Sequence, residues 1–217
     1  MEETWELTAL IVDEEFVKDN DMLLSIFLWQ MNDHCFDAGG CYEDLREVLQ
    51  KRFEEAALRE YIWTNVQGFL SESAKLSKIL FSSTKKSFSQ NRAKALLSLL
   101  DIDNCEMLNL KSRKLRNRTE HIDEDLDSWW QLKKSASKEW DKFAIKAIDG
   151  LDDDIIYGPN TELAFMYNPT TGVMYHLDEE FDIHGIFKDV VSVSKALSGA
   201  FLKLNKIAGT TLIRESR

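Results

Sequence analysis

Chain breakers are scarce. Two prolines and nine glycines are spread over 217 residues, too few for the many tight turns of a sandwich or barrel, so long helices are expected. Cysteine is scarce as well. Cys35, Cys41 and Cys105 are odd in number and lack paired spacing, which argues against a disulfide framework or a zinc ribbon and points to a reducing compartment. Positive charge is in deficit: 27 Lys and Arg stand against 38 Asp and Glu, a net charge of −11. That argues against broad nonspecific nucleic-acid binding, but does not exclude a small RNA site inside a local basic patch. The most apolar run, MLLSIFLW from Met22 to Trp29, is too short to span a bilayer. The N-terminal MEETWELTALIVDEE is acidic and lacks the basic start of a secretory signal. A cytoplasmic protein without a membrane partner is expected.

What is present is enough apolar material for a core: 44% hydrophobic and 11% aromatic residues. Asp19 and Asn20 predict the start of a helix over about 21–36. Its apolar residues lie nearly all round, as in a central buried helix, and the Asp37–Gly40 stretch with its two glycines predicts its end. Apolar spacing of three and four continues from Tyr42 to about Phe81, with a break expected near Glu54–Ala57 or near Gly68. Ser89 is the expected cap of a short helix through Leu100, with Ala93, Leu96, Leu97 and Leu100 inward. Asp103 and Glu106 have capping-box spacing ahead of a further helix, interrupted near Asn109 and reaching about Leu132. Leu163–Tyr167 and Val173–Leu177 read as strands around NPTTG, a hairpin. The segment from Ile183 to about Asn205 reads as an amphipathic helix. The expected fold is mainly α: a single helical bundle over 1–217 with one β-hairpin, the hairpin and last helix forming an extension at about 155–217.

The most distinctive segment is LKSRKLRNRTEHIDEDLDSWW. Five positive charges fall between Lys111 and Arg118, and five negative ones between Glu120 and Asp127. On a helix, Leu115, Ile122, Leu126 and Trp129 form one apolar stripe. Asn117 and His121 share a face flanking it. A His titrates near neutrality and can move a proton to or from a ribose hydroxyl or a leaving oxygen. A guanidinium can hold a phosphate in a fork and stabilise transition-state charge. The plainer reading is a solvated helix face on which Arg116 pairs with Glu120, and Arg118 with Glu124 or His121.

Arg116, Asn117 and His121 resemble the signature of the HEPN superfamily, an Arg followed by a polar residue and, four to six residues on, a His. The resemblance implies a compact helical bundle. It implies metal-independent endoribonuclease activity, with His121 as acid or base, Arg116 as phosphate clamp and Asn117 as orienting group. Arg113, Lys114 and Arg118 would steer the RNA backbone. No cofactor is implied. A homodimer in which two motifs share a cleft is expected, as is a toxin or phage-defence setting with an antitoxin or defence-system partner. Inert scaffolds with the same fold also occur in the superfamily, and that alternative stays open.

Other groups carry less. Asp149, Asp152, Asp153 and Asp154 read as a solvated acidic loop without calcium-loop order. His176 and His184 read as ordinary surface groups, Cys35 as a buried structural thiol, and the six Trp as core packing.

Overall fold

The computed structural model describes residues 13–50, 55–82, 86–102, 107–112, 114–115, 122–135, 142–152, 156, 161–177 and 179–209. Within them the chain forms α1 (Glu14–Asp19), α2 (Asp21–Gln50), α3 (Glu55–Leu80), α4 (Ser87–Leu100) and α5 (Ile122–Ser135). The sheet strands β1 (Lys142–Ile148), β2 (Thr161–Asn168), β3 (Val173–His176) and β4 (Glu179–Asp182) follow, and α6 (Ile183–Ala208) comes last. The protein is mainly helical, as its sequence pattern predicts.

α2 does not stop at its glycines. Leu24, Leu28, Met31, Cys35, Ala38, Tyr42, Leu45 and Val48 are all buried. Their spacing of three and four residues runs straight past Gly39 and Gly40. A mid-helix glycine costs about 1 kcal/mol relative to alanine, and the burial of Tyr42, Leu45 and Val48 beyond the pair offsets it. Nor is α2 buried all round. Met22, Ile26, Trp29 and Phe36 remain 76%, 50%, 60% and 80% exposed. The reading of a wholly enclosed helix is corrected: one stripe is buried, and the opposite one is apolar yet open.

α3 starts at Glu55, at one of the two expected breaks, and passes Gly68 unbroken. Gly68 serves a close approach instead: a Cβ there would lie 2.8 Å from Cys41 Sγ on α2. His34 Nδ1 lies 2.8 Å from Glu72 Oε2, so the two helices run antiparallel. α4 begins at Ser87, ahead of the expected Ser89 cap, and its N-cap Lys86 makes no side-chain capping bond. The inward set Ala93, Leu96, Leu97 and Leu100 is buried as predicted. α6 is capped at both ends. Asp182 accepts from Gly185 N at 2.9 Å, and Gly209 takes the left-handed conformation at φ 67°.

The predicted hairpin is present: β2 and β3 pair antiparallel with Asn168 opposite Val173. Asn168 Oδ1 accepts from Thr170 N and Thr171 N, both at 2.9 Å, which closes the turn. The hairpin is the centre of a larger sheet ordered β1-β2-β3-β4, in which β1 runs parallel to β2 and β4 antiparallel to β3. This supplies the neighbours that an isolated hairpin lacks.

The acidic stretch after β1 is not simply solvated. Asp152 is 5% exposed. Its Oδ2 accepts from Ile148 N at 2.8 Å, and its Oδ1 accepts from Arg59 Nε on α3 at 2.9 Å. Asp149 accepts from Asn168 Nδ2 at 2.5 Å. Asp153 and Asp154 lie outside the described residues. These bonds tie the edge of the sheet to α3. Asp152→Ala is expected to remove the carboxylate that accepts from Ile148 N and Arg59 Nε, leaving Arg59 its bond to the Leu151 carbonyl, and to lower stability by about 1–3 kcal/mol. Urea unfolding checks this, and an unchanged midpoint would rule out a stabilising role for the pair.

Candidate functional site

Of the residues singled out for chemistry, Arg113, Arg116, Asn117, Arg118 and His121 lie outside the described residues. The structure does describe how the segment is held on both sides.

On the approach, residues 107–112 form turns where a helix interrupted near Asn109 was expected, and the expected capping-box residues Asp103 and Glu106 lie outside the described residues. Met107 and Leu110 are fully buried and Leu115 is 1% exposed, so apolar residues pin this stretch to the core. The backbone inside the turn is satisfied by side chains from two helices. Ser77 on α3 donates to the Leu110 carbonyl. Asp189 on α6 accepts from Asn109 N and Leu110 N, both at 3.0 Å. Gly185 makes room alongside, since a side chain there would meet Asn109 Nδ2 and the Asp182 carboxylate.

Lys114 forms an ion pair with Glu179 on β4. The lysine is 62% exposed and the carboxylate 23% exposed. Of the three cations expected to steer RNA, this one therefore has its charge balanced by a neighbour. On the far side, α5 buries Trp129 while Leu126 stays 36% exposed. The expected apolar stripe is thus anchored at Leu115 and Trp129 but open at Leu126. Lys133 Nζ lies 5.7 Å from the Trp129 ring centre, within the range of a weak cation–π contact.

A second polar group joins the sheet to the bundle. Tyr42 Oη lies 2.8 Å from His184 Nδ1. The Tyr42 ring stacks on Phe187 at 3.7 Å and leans on Phe69 at 5.8 Å. His184 packs over Gly172 at the hairpin turn, where φ is +69° and an added side chain would run into the imidazole. His184 is half-buried and His176 is buried beside Phe165, with ring centres 4.7 Å apart. Neither histidine is the ordinary surface group expected. Both are drawn inward by aromatic neighbours on distant segments. Cys35 is buried as predicted, and burial pushes its thiol up to about 12, which makes it a poor nucleophile. Trp63 and Trp129 are core residues, whereas Trp29 and Trp130 are 60% and 42% exposed.

No family model, curated protein or solved structure matches this chain. Among the described residues no group of three or more His, Cys, Asp or Glu is placed to hold a metal ion. No helix of the described residues is long and apolar enough to cross a membrane.

Asp189 is the supporting residue that motif reading missed. Its signal was legible: an acidic residue on the buried face of an amphipathic helix, between Ile186 and Val193. Glu179 and the Tyr42–His184 contact left no comparable local signal.

Burial raises the Asp189 carboxyl above its ordinary value, against the lowering effect of the Leu110 and Asn109 hydrogen bonds. A carboxyl raised on folding contributes stability that is fully present below the ordinary Asp value of about 3.9. That contribution is lost as pH rises through the folded value. Asp189→Asn, which cannot ionise, is expected to flatten this part of the stability–pH curve. Asp189→Ala is expected to cost about 1–3 kcal/mol by leaving two backbone donors without their acceptor. Urea unfolding from pH 3 to 8 checks both, and an unchanged curve for Asp189→Asn would remove the linkage.

Proposed function

We propose that the protein is a metal-independent endoribonuclease of HEPN type, acting in a toxin or phage-defence setting. The single observation that carries this reading is the Arg116-Asn117-x-x-x-His121 spacing at the junction of a basic and an acidic run. His121 moves the proton between the ribose hydroxyl and the leaving oxygen. Arg116 clamps the scissile phosphate and stabilises the charge that develops on it. Asn117 orients the imidazole or donates to a phosphate oxygen. Arg113 and Arg118 draw in the RNA backbone, with a smaller share from Lys114 because Glu179 balances it. The anchored turn ahead of the motif supports the reading, since a site needs rigid flanks to hold its groups in reacting geometry. An antitoxin or a defence-system protein is the expected regulator.

The second reading is a catalytically inert binding or scaffold protein of the same build. The Lys114–Glu179 ion pair favours it, because that contact engages a steering cation with the sheet instead of leaving it to a ligand. The two readings diverge on cleavage. Under the enzyme reading, His121→Ala lowers RNA cleavage by about 10²–10⁴-fold. Arg116→Ala costs about 3–4 kcal/mol of transition-state stabilisation. Arg116→Lys recovers part of the loss, since it keeps the charge without the fork. Glu124→Ala changes little, because its side chain is exposed. Cleavage persists in chelator. The assay uses structured and unstructured RNA with melting temperatures measured in parallel. Equal cleavage by wild type and His121→Ala would end the enzyme reading for this site.

A further inference from the structure

α2 carries a second seam opposite its buried one. Met22, Ile26, Trp29, Asp33, Phe36 and Gly40 recur at alternate steps of four and three residues. That is the spacing by which one helix lies along another. By helical phase this seam points away from the core-facing row of Leu24, Leu28, Met31, Cys35, Ala38 and Tyr42. All six outer residues are exposed. Trp29 touches the Phe201 ring on its border, with centres 5.2 Å apart, and stays open above it. Large apolar side chains aligned along one open helix face mark an interaction surface rather than scattered exposure.

Two further features say what kind of surface it is. The first is charge. α2 has six acidic residues, and its one Arg or Lys, Arg46, pairs with Glu43 at 3.1 Å. Asp33 stands within the seam, and Asp37 and Asp44 flank it toward the C-terminal end. These three have no ion-pair partner among the described residues. The face is therefore apolar from Met22 to Trp29 and increasingly acidic beyond. The second is Gly40. Gly68, Gly172 and Gly185 are each required by a neighbour that a side chain would strike, whereas a Cβ on Gly40 would meet nothing within 4 Å. Bare backbone on an outward face leaves room for another backbone to come close.

We infer that this face docks an amphipathic helix of a different protein, one with an apolar seam and a Lys- or Arg-rich end. Met22, Ile26, Trp29 and Phe36 supply anchors at the spacing that such helices fill. They span roughly 21 Å of helix axis at 1.5 Å per residue, so about four turns of the partner are needed to cover them. Its basic end meets Asp33, Asp37 and Asp44, and Gly40 admits it closely there. A second copy presenting α2 fits badly. Parallel, it sets acid against acid; antiparallel, it lays unpaired carboxylates on Ile26 and Trp29. Nucleic acid is repelled by the same carboxylates. A helix that lies on a membrane flanks its apolar face with Lys and Arg, the reverse of what α2 displays. The inference rests on α2 alone and stands or falls separately from RNA cleavage.

The test uses the full chain and two labelled synthetic helical peptides with the same Leu seam, one ending in a Lys-rich turn and the other in a Glu-rich turn. Binding is read by fluorescence anisotropy. The Lys peptide is expected to bind about tenfold or more tighter than the Glu peptide. Trp29→Glu and Phe36→Glu are each expected to weaken it by about tenfold or more while helical circular dichroism stays unchanged. The double variant Asp33→Lys, Asp37→Lys is expected to reverse the preference, which a general loss of fold does not do. Failure of the Lys peptide to bind overturns the inference, as does equal binding of the two peptides or indifference to Phe36→Glu. Two other occupants overturn it as well: phosphatidylserine vesicles that bind wild type but not Phe36→Glu, or a dimer in sedimentation that Phe36→Glu dissociates.

Discussion

Tyr42 reaches a histidine 142 residues further along the chain, and the meeting of bundle and sheet depends on that contact. The phenol comes from the C-terminal third of α2, the imidazole from the first turn of α6, and the imidazole rests on the glycine that closes the β2–β3 turn. Moving any one of these shifts the other two. Phe187 and Phe69 fix the phenol ring from two sides, so the hydrogen bond is held in an apolar setting where it is strong and where an unmade bond is costly. Gly172 is required twice over, by its positive φ and by the ring above it.

From that joint the rest of the scaffold follows along α6. One turn beyond His184, Asp189 holds the backbone of the turn before the Arg116 segment. Further on, Val190 meets Cys35 and Phe201 meets Trp29. One helix thus serves the sheet, the candidate site and the outer face of α2. The arrangement links stability to position at the candidate site: whatever loosens α6 against α2 also moves the acceptor on which residues 109 and 110 rely.

The chain also divides its charge in a way that its net value hides. Buried carboxylates do structural work, with Asp152 joining β1 to α3 and Asp189 holding a loop. Glu72 sits between His34 and Lys75. Burial alone would raise its carboxyl, but hydrogen bonds and charge from Lys75 and His34 bring it below the ordinary value. A surplus of acidic groups in the composition therefore says little about surface potential until the buried and paired ones are set aside.

Much of the fold was legible in the sequence because it rests on local rules. Apolar spacing of three and four located α3, α4 and α6, and Pro169 and Gly172 located the hairpin turn, since helix faces and turns are decided by residues close in the chain. The Arg116, Asn117 and His121 motif was likewise visible as spacing. Other features were decided only by tertiary structure. The sequence marks Gly39 and Gly40 as a helix end, and distant packing of Tyr42 and Leu45 carries α2 through them. Strands β1 and β4 exist because the hairpin gives them edges to pair with. Asp152 and His176 are buried, and Trp29 and Phe36 are open, because their surroundings come from segments remote in the chain. Spacing reports which residues share a face, whereas burial depends on what that face meets.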